Sequence, residues 1–99
     1  MDELRFSDLL GIFRRRADLS QTALANLIGV IPSYMSRLES GEREPDRDVV
    51  IMIGHVLGLH RLDRAALLLS AGYAPDDPAM RAVLRILIEA AVEREHVAA

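Results

Sequence analysis

The chain contains no cysteine and no lysine. Without cysteine there is no disulfide, no thiolate zinc or iron–sulfur site and no cysteine nucleophile. Without lysine, Schiff-base chemistry and a P-loop lysine are excluded as well, and all 12 basic residues are Arg. A histidine- or carboxylate-only metal site stays open on composition. However, His55, His60 and His96 are scattered without ligand spacing, so no metal is expected. Nothing suggests a nucleophile held against a base, so neither catalysis nor a cofactor is expected. No apolar run approaches the roughly 18 residues of a membrane span. The longest uninterrupted one is Val49–Gly54. The start, Met1 to Arg5, is acidic and lacks the basic and apolar blocks of a signal peptide. The expectation is a soluble, cytoplasmic protein without a membrane partner. Sustained apolar/polar alternation is missing too, which argues against strands.

What is present is helical patterning. The 99 residues suit one domain with room for one added element. A hydrophobic content of 51% against 27% charged residues fits a folded globule, not a disordered chain. The net charge of −3 argues against coating nucleic acid by bulk charge, though a local basic face could still bind it. Residues 1–75 hold nine Arg against ten acids, and residues 76–99 hold three against five.

Phe6, Leu9, Leu10, Phe13 and Ala17 form one apolar stripe on a first helix, with Arg14, Arg15 and Arg16 in its last turn and Asp18 as a left-handed stop. Ser20 caps a second helix that carries Leu24, Leu27 and Ile28 and ends at Gly29. Pro32 opens a third, with Tyr34, Met35 and Leu38 inward and Gly41 as its stop. Asp46 caps a fourth, with Val49, Val50, Ile53, Val56 and Leu57 in the core. A fifth runs from Arg61 to Ala71 through Leu62, Ala65, Ala66, Leu68 and Leu69. Gly54, inside the fourth helix, implies close approach of another helix, whereas Gly11 in the first has no evident reason. Asp77 and Pro78 start a last helix reaching about Val97.

The segment Gln21 to Ser40 is the informative one. Two short helices meet at Gly29, which permits the tight turn. Ala25 lets them cross closely, and Val30 and Met35 plug the angle. This is a helix-turn-helix, a motif whose second helix enters the major groove when it binds DNA.

These residues resemble the phage repressor/Cro family, also called the xenobiotic-response-element (XRE) family. The likeness rests on Leu19-Ser20-Gln21, Leu24-Ala25, Ile28-Gly29-Val30, Ser33-Tyr34, Ser36 to Gly41 and Arg43-Glu44-Pro45, and covers Phe6 to Tyr73. The resemblance implies an all-α fold: a five-helix, lambda-repressor-like DNA-binding domain over residues 1–75, followed here by a C-terminal helix over 76–99. It implies a transcription regulator whose partner is a double-stranded DNA operator, read by a dimer. Gln21 would clamp a phosphate. Pro32, Ser33, Ser36 and Arg37 would occupy base-facing positions, with Tyr34 beside them and Arg43 on phosphate. Arg37 is the strongest base reader, because Arg binds guanine bidentately. Arg14 and Glu39 match a structural ion pair of the family.

The chain departs from that pattern at Ile31, where a capping Ser or Thr is usual, at Pro32, which replaces a side chain that often reads a base, and at Asp18, where Gly is common. Arg14 to Arg16 read either as a phosphate strip or as a solvated turn, and Tyr34 either as core or as a DNA contact. The last helix is apolar over more than one face: Met80, Val83, Leu84, Leu87 and Ile88, widened by Ile86, Ala90 and Ala91. With Leu67 to Tyr73 it is expected to form a homodimer interface, the alternative being a helix folded back on its own domain. Two functions compete. One is a DNA-binding repressor on a palindromic operator. The other is a protein-interaction module of the same fold, or an antitoxin with a toxin or other regulator as partner.

Overall fold

The computed structural model describes residues 5–98, and side chains through residue 95. Six helices follow in order: α1 (Phe6–Arg16), α2 (Gln21–Ile28), α3 (Pro32–Ser40), α4 (Arg47–Val56), α5 (Arg61–Ser70) and α6 (Pro78–Ala98). The fold is all-α, and no strand occurs among the described residues.

The stops are local chemistry. Asp18 takes a positive φ of 62°, the left-handed conformation that Asp tolerates better than most residues. Ser20 Oγ accepts the Ala23 N–H at 3.0 Å and so satisfies one open donor at the start of α2. Gly29, at φ 77°, turns the chain, and the Val30 N–H then reaches back to the Ala25 carbonyl at 3.0 Å. Asp77 Oδ1 accepts from the N–H groups of Ala79 and Met80, capping α6. Asp46 is different. It occupies the position before α4, but its side chain accepts no capping bond.

Helices α1 to α5 close around Leu10, Leu24, Met35, Leu38, Val50, Ile53 and Leu67, all essentially inaccessible. Ala25 is fully buried where α2 crosses α3. Gly54 admits α5: a Cβ there would lie 3.2 Å from Arg64 Cγ, so the aliphatic stem of Arg64 covers the gap. Gly11 also acquires a reason. A Cβ there would come within 3.1 Å of Glu39 Oε1 and 2.9 Å of Arg15 Nη1.

Several residues at the apolar helix positions lie at the surface. Leu27, Leu62 and Leu69 are exposed, and so is Ala17. Leu67 and Leu68, assigned above to a homodimer surface, are instead buried in the domain's own core and cannot serve one.

The segment after α5 ties back. Tyr73 Oη donates to the Pro45 carbonyl at 2.8 Å, Pro75 is buried, and Arg61 holds Asp77 at the foot of α6. Beyond that foot, α6 makes no extensive contact with the other helices. The radius of gyration is 15.5 Å. A compact chain of this length would have about 13 Å. The longest dimension, 51 Å, reflects that projecting helix.

Candidate nucleic-acid interface

The third helix offers two faces. Met35 and Leu38 point inward and are fully buried. Pro32, Ser33, Ser36 and Arg37 are exposed on the other side. A nine-residue helix anchored by two buried side chains has little freedom to rotate, so the outward row is presented in a fixed orientation. Pro32 at the first position sets φ without needing the N–H it lacks. Ile31 contributes no side-chain cap, in keeping with its apolar side chain.

Tyr34 takes up the core alternative read for it. It packs partly against the core, and its ring lies under the Arg43 guanidinium, 5.3 Å from Cζ to the ring centroid. Stacking of this kind restrains an otherwise mobile cation. The Arg43 N–H donates to the Arg37 carbonyl at 3.2 Å, docking the following loop on the end of α3. Arg37, Tyr34 and Arg43 are thus brought together at one end of the exposed row.

A largely buried ion pair braces the helix from behind. Arg14 Nε donates to Glu39 Oε2 at 2.8 Å and Arg14 Nη2 to Glu39 Oε1 at 2.6 Å, while Nη1 donates to the Leu19 carbonyl at 2.7 Å. The two side chains are only 13% and 10% exposed. The bidentate geometry fixes both distance and angle between α1 and α3. The Arg14 hydrogen bonds hold the Glu39 carboxyl below its ordinary pKa against the opposing effect of burial, and Gln21 and Arg15 add to the lowering. The same pairing raises the Arg14 pKa. Gln21, half-buried at the start of α2, is therefore a neighbour of this pair, as well as standing on the side of the turn that leads to the exposed row.

Arg14, Arg15 and Arg16 separate into distinct roles. Arg14 is the brace. Arg15 is exposed near Glu39 at 3.8 Å. Arg16 lies over the Phe13 ring at 5.1 Å and reaches Asp63 at 3.4 Å. They do not form one continuous strip.

Ile31 and Leu27, large and apolar, are 67% and 59% exposed, Ile31 immediately before the start of α3. The sequence marks Ile31 only as a poor cap. Its exposure adds an apolar surface next to Pro32 of the kind that meets a thymine methyl group. Met80 and Leu84 of α6 are half-buried, whereas Val83, Leu87 and Ile88 are exposed.

Among the described residues no three His, Asp or Glu side chains gather as a metal site, and no helix is long and apolar enough to cross a membrane. Residues 5–67 match the family described as a helix-turn-helix domain, a span of more than half the chain. No curated protein and no solved structure matches it.

Proposed function

The chain belongs to the helix-turn-helix domain family, and from that premise we propose that it is a sequence-specific double-stranded DNA-binding regulator. It acts as a cytoplasmic repressor and reads a palindromic operator as a homodimer. The observation that carries the reading is the exposed row Pro32, Ser33, Ser36 and Arg37 on a helix braced from behind, with Arg43 stacked at its end. Arg37 reads a base edge, while Gln21 and Arg43 hold phosphates and set the register. Repression needs only occlusion of a promoter, which binding alone supplies. Two recognition helices about 34 Å apart would address successive major grooves on one face of the duplex.

The test is selection of duplexes from genomic fragments by the purified protein, followed by titration of the best one at several salt concentrations. Binding should weaken steeply with salt, as phosphate contacts release counterions. Arg37→Ala should lower affinity for the selected duplex by about 10- to 100-fold, in line with about 1–3 kcal/mol for a bidentate base contact. It should also relax selection at one base pair. Arg43→Ala should weaken all duplexes alike and flatten the salt dependence.

A second reading, a protein-interaction module or antitoxin of the same fold, is favoured by the net charge of −3 and the uncapped start of α3. Folded protein that enriches no duplex would select it.

A further inference from the structure

Of the large apolar side chains exposed on the described chain, Val83, Ile86, Leu87, Ile88 and Val92 all lie on α6. No other helix covers them. Met80 and Leu87 are seven residues apart and share one line of the helix. Val83 and Ala90 follow a second line, Leu84 and Ala91 a third. Lines repeating every seven residues are the seam of a helix pair. The Met80–Leu87 line ends in a charge, Arg94.

Charge is divided along the same helix. Its first half carries Arg81 and Arg85 and no acid. Its second half carries Glu89, Glu93 and Glu95 against the single Arg94. Among the described residues none of these six enters an ion pair.

We propose that α6 pairs with α6 of a second copy in antiparallel orientation, about a two-fold axis at Leu87. The proposal rests on the homodimer reading above and specifies its geometry. A parallel, in-register pair would lay the basic half on the basic half and the acidic half on the acidic half. It would also place Arg94 against Arg94 where the seam ends. Antiparallel pairing removes both conflicts. The basic half of one protomer lies along the acidic half of its partner, and Arg94 falls at the end of the seam beside Met80 of the other copy. Leu87 meets Leu87. Val83 and Leu84 lie against Ala91 and Ala90, so large side chains face small ones and the seam closes without voids. The helix dipoles oppose each other, which also favours this orientation.

The absence of cysteine makes the test direct, because any thiol introduced is the only one. Leu87→Cys should form a disulfide-linked dimer under mild oxidation. Met80→Cys should not, because antiparallel pairing puts its two copies about 21 Å apart along the helices. A disulfide needs Cα atoms within about 7 Å, so the Leu87→Cys reaction should be at least about tenfold faster. A mixture of Val83→Cys and Ala91→Cys should yield the mixed dimer in preference to either homodimer. Helical content by circular dichroism and sedimentation of each reduced variant confirm fold and assembly.

Efficient linkage through Met80→Cys would show parallel pairing and overturn the geometry while leaving the homodimer. A sedimenting dimer in which Leu87→Cys stays unlinked would place the interface elsewhere and overturn the proposal. Monomer alone at high concentration would overturn the homodimer as well. The duplex titration is read separately, so loss of DNA binding with intact crosslinking would count against the regulator reading and not against the helix pair.

Discussion

Replacing Arg14 with methionine is expected to lower the unfolding free energy by about 2–4 kcal/mol at neutral pH, since breaking one half of a largely buried pair strands the other charge. Glu39 would lose both guanidinium hydrogen bonds, and the Leu19 carbonyl would lose its donor. The double variant Arg14→Met, Glu39→Met should recover part of the loss, because it leaves no orphaned charge. The pair also predicts an acid response. The Glu39 pKa is lowered in the folded chain, so its contribution is complete above the unfolded-state value of about 4.3 and is lost as pH falls through the folded value. Below that window the gap between the native protein and Arg14→Met should narrow to what the Leu19 hydrogen bond and packing of Arg14 contribute. Urea titrations at neutral and acidic pH check both the magnitude and the narrowing. A constant gap across pH would show that the pair contributes through packing alone.

Met35→Ala is expected to destabilise by about 2–5 kcal/mol, the range for truncating a buried side chain that leaves a cavity. Met35 is fully buried and belongs to the core cluster that also holds Leu24, Ala25 and Ile28 of α2. Its loss therefore loosens the packing of α3, the helix proposed to read the duplex. Met35→Leu conserves volume and should cost less than about 1.5 kcal/mol. Denaturant unfolding of the two variants measures this. Duplex affinity, taken where both are still folded, should fall further for Met35→Ala than for Met35→Leu. Equal affinities would mean that α3 is held by its other contacts.

Much of the architecture was legible because its signals are local. Ser20, Gly29, Pro32 and Gly41 mark helix ends through short-range geometry, and each stands at the end it implied. The Arg14–Glu39 pair spans 25 positions and came from family resemblance, since no spacing rule links residues so far apart. The reason for Gly11 was hidden for the same cause: the carboxylate that crowds it arrives from α3. Burial was least legible where apolar residues run together. Leu67, Leu68 and Leu69 are alike in composition, and only the packing of α5 on its neighbours puts two inside and one out. Leu27 failed similarly, because Leu24, Ala25 and Ile28 already fill the inward arc of an eight-residue helix. In the site, the outward row followed from the family resemblance. The Tyr34–Arg43 stack did not, because it depends on how the loop after α3 folds back.

The projection of α6 gives the chain two kinds of stability. The five-helix body melts as a unit whose midpoint is set by its own core. A single helix beyond it draws little support from that core, and isolated helices are marginal in water. If it pairs with a second copy as proposed, its order follows mass action and grows with the concentration of the chain. In dilute protein the backbone amides of α6 would exchange and its apolar residues would be open to proteases, while α1 to α5 stayed protected. Under the α6 pairing proposed above, the number of copies in the cell would then govern the lifetime of this helix, making it a gauge of the protein's own concentration.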